Sequence, residues 1–85
     1  MNISKHEQRV LHELALGGEI RYERLSNGKI HEVTCITRDG HVLTDCTLNV
    51  FQRLLKRRFI RSKKGNPYQA SKLGIKSVRA QLNQR

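Results

Sequence analysis

F-I-R-S-K-K-G-N-P-Y-Q-A-S-K-L-G, Phe59 to Gly74, is the stretch whose reading decides the fold. Phe59 to Lys63 and Tyr68 to Ala70 flank Lys64-Gly65-Asn66-Pro67, where glycine and proline punctuate a turn. This spacing predicts a short hairpin with a cationic tip. A helix follows at once, from Ser71 to about Asn83, burying Ile75, Val78 and Leu82, with Leu73 sealing its first turn. Gly74 sits inside that helix against propensity, at a cost of about 1 kcal/mol relative to alanine.

Upstream of the hairpin a second helix is expected, starting near Asp45 or Thr47, either of which can cap it, and running to about Arg58. Leu48, Phe51, Leu54 and Leu55 form its buried stripe, and Asn49, Gln52, Arg53, Lys56 and Arg57 occupy the other side. Further back, Glu19 to about Thr44 is rich in β-branched residues. Turn signals at Ser26-Asn27-Gly28-Lys29 and Asp39-Gly40 divide it into an antiparallel hairpin or three-stranded meander. The chain opens with a helix from about Lys5 to Leu16. Ser4 and Glu7 make a capping-box pattern, Val10, Leu11 and Leu14 share one face, and Gly17-Gly18 ends it.

Eighty-five residues, 36% of them hydrophobic, allow one small domain over 1–85 and no second one. No apolar run is long enough for a signal peptide or a membrane span, so a cytoplasmic protein with no membrane contact is expected. Two cysteines, Cys35 and Cys46, are too few for a disulfide scaffold and are expected as buried thiols.

Charge is distributed unevenly. The chain carries 17 Lys plus Arg against 7 Asp plus Glu, a net charge of +10. Residues 1–50 hold all seven acidic residues and six basic ones, whereas 51–85 hold eleven basic residues and no acidic one. Solubility does not require charge of a single sign, so the basic half points to a polyanionic or acidic partner.

The order of elements gives an α+β fold that resembles the winged-helix proteins, in which one helix lies in the major groove and the hairpin, or wing, touches the adjacent backbone. Here the groove helix is Thr47 to Arg58 and the wing is the hairpin of the opening stretch. The chain departs from that pattern between Gly18 and Asp45, where β structure replaces the usual short helix. The candidate binding surface is Arg53, Lys56, Arg57, Arg58, Arg61, Lys63 and Lys64. Arg53 and Arg57 are the preferred oriented contacts, because guanidinium groups bind phosphate and carboxylate in two-pronged fashion. Lys72, Lys76 and Arg79 extend the patch.

Other chemistries find less support. His31, Cys35, His41 and Cys46 are zinc-ligand types, but their intervals match no common ligand spacing, so no metal is expected. Cys46 near a helix start is a candidate for a lowered pKa. His6 and His12 could serve a ribonuclease as acid and base, and nothing fixes their geometry. Catalysis lacks a nucleophile beside a base, and no glycine-rich phosphate cradle is present, so the chain reads as a binding protein without a cofactor.

E-Q-R-V-L-H-E-L-A-L-G-G-E-I (Glu7 to Ile20), L-T-D-C-T-L (Leu43 to Leu48), N-P-Y (Asn66 to Tyr68) and V-R-A-Q-L (Val78 to Leu82) resemble the YjhX family of small bacterial toxins over the whole chain. The resemblance implies a toxin of a toxin–antitoxin pair that binds and inhibits DNA topoisomerase I. It also implies a cognate antitoxin similar to small acetyltransferases. The alternative from the residues alone is a winged-helix DNA-binding transcriptional regulator.

Overall fold

The computed structural model describes residues 3–82, with side chains of the last helix described as far as Arg79. Its elements run α1 (Lys5–Ala15), β1 (Glu19–Arg24), β2 (Ile30–Ile36), β3 (Val42–Leu43), α2 (Leu48–Lys56), β4 (Ile60–Arg61), β5 (Gln69–Ala70) and α3 (Lys72–Leu82). The α+β reading therefore holds, and the segment between the first two helices is a three-stranded antiparallel meander in the order β1-β2-β3. The expected end of α3 at Asn83 lies outside the described residues, as does the burial of Leu82.

Local chemistry fixes the helix ends. Ser4 caps α1, its Oγ accepting from the Glu7 amide at 3.1 Å and donating to Glu7 Oε1 at 3.1 Å. Gly17, at φ 114°, closes the other end: the Gly18 amide donates to the Glu13 carbonyl and the Gly17 amide to that of Leu14. Thr47, rather than Asp45, caps α2, its Oγ1 accepting from the Val50 amide at 3.2 Å. The same closing motif ends α2, with Phe59 N–H bonded to the Leu54 carbonyl and Arg58 N–H to that of Leu55. Arg58 takes the left-handed position there, φ 62°, where glycine is the usual occupant.

The two sheets meet at one point. β4 and β5 form the expected hairpin, and Ile20 and Tyr68 exchange backbone hydrogen bonds of 2.8 and 2.9 Å, attaching the ribbon to the start of β1. Beneath them lies a single core of Val10, Leu11 and Leu14 from α1, Ile20 and Cys35 from the meander, Val50, Phe51 and Leu54 from α2, then Cys46, Phe59, Ile60 and Val78. At about 25 cal/mol per Å² of apolar surface, these side chains supply the main drive to fold.

Four expectations about burial need correction, the first being Leu48, which is only half-buried. Leu55 is 38% exposed, and Val50 takes the place in the core expected of it. Leu73 is 50% exposed and seals nothing, since the first turn of α3 is instead tied down by Ser71, whose Oγ accepts from the Gly74 amide and donates to the Arg58 carbonyl. Ile75 is only half-buried.

Gly74 has a packing reason that propensity does not contain. A Cβ placed there would fall well inside contact distance of the Phe59 carbonyl oxygen and 3.1 Å from Leu11 Cδ1. The backbone oxygen cannot yield cheaply, so α3 packs this closely only through glycine. Gly74→Ala is expected to destabilise the domain by about 1–3 kcal/mol despite its better helix propensity; a urea midpoint equal to or above that of the parent protein would refute the close-approach account.

Candidate functional site

The seven candidate cations do not share one environment. Arg53 and Arg57, one turn apart on α2, turn toward α1, where Glu7 is 1% exposed. Arg57 Nε lies 3.4 Å from Glu7 Oε2 and Arg53 Nη1 lies 3.5 Å from Glu7 Oε1. The Arg57 side chain is only 25% exposed, whereas that of Arg53 is 56% exposed. Arg57 therefore acts first as a structural counter-ion, and Arg53 is shared between Glu7 and solvent. A second inter-element tie runs nearby, with Arg9 Nε 3.4 Å and His6 Nδ1 3.9 Å from Asp45.

The cations that do converge lie farther along the chain. Arg61 on β4 pairs with Gln69 on β5 and shares its side of the ribbon. Arg61, Lys63 and Lys72 line an open cleft of about 440 Å³ between the β4–β5 hairpin and the start of α3, together with Asn66, Gln69 and Ser71. No acidic residue lines it among the described residues. Such a cleft offers three cations and two amides to an anion, which suits phosphate or carboxylate oxygens. Lys56, Arg58 and Lys64 are exposed but are not part of its lining. Lys64, at φ 53°, and Gly65, at φ 79°, form the hairpin tip, and the Tyr22 hydroxyl donates to the Gly65 carbonyl at 2.8 Å, holding that tip against β1.

The remaining candidates separate. Cys35 and Cys46 are both free and buried in the core, while His31 and His41 are exposed, so the zinc-type quartet is not assembled. The Cys46 thiol bonds the Cys35 sulfur, which holds the Cys35 pKa down against the opposing effects of burial and Glu13. The same bond, with burial, pushes Cys46 up, the reverse of the lowered pKa expected from its place near a helix start. Glu23, His31 and Glu32 cluster on the exposed end of the β1–β2 hairpin. A β-bulge after Glu23 leaves His31 outside the regular pairing, which lets it approach Glu23. His6 and His12, six positions apart on α1, point in directions about 120° apart and cannot act together.

No helix of the described residues is long and apolar enough to cross a membrane. The YjhX toxin family model, whose description reads "Putative toxin of bacterial toxin-antitoxin pair", matches residues 1–85. A UPF0386 protein of Beijerinckia indica is 59% identical over the whole of both chains, and one of a Ruegeria strain is 58% identical over the same extent. A third, from Caulobacter vibrioides, is 54% identical over all of this chain and 93% of its own. No solved structure matches the chain. The chain belongs to the YjhX toxin family.

The unequal roles of the arginines can be measured. Arg57→Met leaves the Glu7 carboxylate buried with only Arg53 beside it and should cost about 3 kcal/mol, the lower end of the range for breaking a buried pair because one partner remains. Lys64→Ala, at the exposed hairpin tip, should stay within about 0.5 kcal/mol of the parent in the same urea titration. Equal midpoints for the two variants would refute the assignment of Arg57 as a counter-ion.

Proposed function

We propose that this chain is a toxin that binds DNA topoisomerase I and inhibits it through the basic surface of its β4–β5 hairpin and neighbouring helices. The observation that carries the reading is the convergence of Arg61, Lys63 and Lys72 on one open cleft without an acidic neighbour. A topoisomerase must handle phosphate backbone, and a compact body of net charge +10 can occupy an acidic groove on that enzyme or bridge it to DNA. Membership in a family of toxin–antitoxin pairs supports the toxin role and an antitoxin partner. The topoisomerase target rests on the family resemblance together with the charge of the cleft. An antitoxin similar to small acetyltransferases belongs to the same proposal.

A second reading, a DNA-binding regulator, is favoured by the exposed polar face of α2. Asn49, Gln52 and Lys56 are all exposed and carry the amide and cationic groups that meet phosphates or base edges. Against it, the meander stands where a winged-helix protein has its supporting helix, so α2 lacks the usual brace for lying in a groove.

The two readings give different measurements. Purified topoisomerase I should lose supercoil relaxation as the protein is added to stoichiometric excess, and Arg61→Glu with Lys63→Glu should abolish that loss. Unchanged relaxation by the parent protein would remove the leading reading. For duplex binding, log affinity falls with log salt at about −0.9 per phosphate contacted, so the same double replacement should flatten the slope by about 2 units. A slope near zero in the parent protein would exclude direct DNA contact.

A further inference from the structure

The geometry points to a second surface on the other side of the β4–β5 ribbon, a docking groove for an acidic amphipathic helix contributed by the antitoxin. This rests on the toxin–antitoxin reading of the family and adds to it the place and the chemistry of neutralisation. The groove, about 490 Å³, lies between the β1–β2 hairpin and α2. Its floor is Ile30, Leu48, Phe51, Leu55 and Tyr68, and Arg24, Lys29 and the Gln52 amide stand at its rim. Among the described residues no acidic side chain lines it.

α2 is apolar over more of its circumference than the core uses. Val50, Phe51 and Leu54 are buried. Leu48 and Leu55, seven positions apart, fall within about 20° of each other on the helix, on the flank away from Arg53 and Arg57. Leu48 is half-buried and Leu55 is 38% exposed. They make a pair of apolar positions about 10 Å apart along the helix at i and i+7, with the buried Phe51 ring beneath them at i+3, the spacing that receives another helix. Tyr68 extends the floor in edge contact with Phe51 at 4.9 Å on one side and Tyr22 at 5.3 Å on the other. Its ring is thereby held in place, and the aliphatic residues beside it give nucleic-acid bases nothing to stack on.

Charge selects the occupant. Arg24 extends over the Tyr22 ring, its Cζ 5.1 Å from the centroid, and its Nη1 donates to the Gly28 carbonyl at 2.7 Å, so one cation is pre-positioned at the rim. Lys29 provides a second. A helix with leucine-type residues on one face and Asp or Glu beside them fills the floor and meets both cations, whereas a basic or neutral apolar helix would fit only the floor. A duplex backbone would find two cations and one amide among five largely apolar side chains, a poor match.

The test uses the full-length protein and the purified antitoxin encoded beside it. Calorimetric titration should give a complex weakened at least tenfold by Leu55→Arg and at least tenfold by Arg24→Glu with Lys29→Glu, while Arg61→Glu with Lys63→Glu shifts it less than threefold. All the substituted side chains are exposed, and circular dichroism checks that each variant folds. Hydrogen exchange in the complex should protect 24–30, 48–55 and 68. Protection confined to the hairpin and α3 would overturn the groove assignment while leaving the toxin–antitoxin reading intact, and so would a groove protected by duplex DNA but not by the antitoxin. Failure of the parent protein to form any complex would overturn both.

Discussion

Glu7 is 1% exposed, and a carboxylate withdrawn from water is tolerated only where cations and hydrogen-bond donors meet it. Ser4 supplies a hydroxyl from the cap of the same helix, and Arg53 and Arg57 supply charge from α2. That contact turns α2 about its own axis. With its two arginines drawn to α1 and Val50, Phe51 and Leu54 directed into the core, Leu48 and Leu55 are left on the opposite flank, and Asn49, Gln52 and Lys56 face solvent. The apolar groove and the polar outer face of α2 thus follow from the ion-pair cluster and the buried stripe acting on the same helix. The same cluster draws Arg57 away from the basic surface and leaves the β4–β5 hairpin and the start of α3 as the place where cations gather.

Much of the fold was legible because it is written in local chemistry. Ser4 with Glu7, Gly17 with Gly18, Asp39-Gly40 and the Gly-Asn-Pro turn each act within a few residues, and each marks an element end within one or two positions of where it occurs. The misread features involve contacts distant in sequence. Gly74 looked like a flaw in a helix because the Phe59 carbonyl that requires it lies fifteen positions back, in the residue before β4, which must first pack under α3. Leu55 and Leu73 satisfied helical periodicity and yet are exposed, since periodicity shows that a helix has an apolar side but not whether anything covers it.

The site was legible in charge and not in partnership. The run of cations after Phe51 drew attention to the second half of the chain, where Arg61 and Lys63 line a common cleft. Arg53 and Arg57 were favoured for what a guanidinium does to an anion, and they do it to an anion within the protein. Forty-six residues separate Arg53 from Glu7, and no composition or spacing argument reports that pairing. Asn66, Gln69 and Ser71 were passed over because a charge count does not register amides and hydroxyls, although the hairpin and the cap of α3 bring them beside the lysines.

In the segment leading into β5, Pro67 and Gln69 line the basic cleft while Tyr68, between them, lines the apolar groove, so neighbouring residues serve the two surfaces. Tyr68 on the groove is flanked in sequence by Pro67 and Gln69 on the cleft, and exposed charges act on one another over a Debye length of about 8 Å at physiological ionic strength. An acidic helix seated in the groove would therefore lower the positive potential at the cleft without covering it. It would also press on Tyr68, whose backbone ties the ribbon to Ile20, and thereby restrain the hairpin that carries Arg61 and Lys63. On the proposed assignments, neutralisation acts through field and rigidity across one strand, and a toxin of this size needs no larger interface to be both active and controllable.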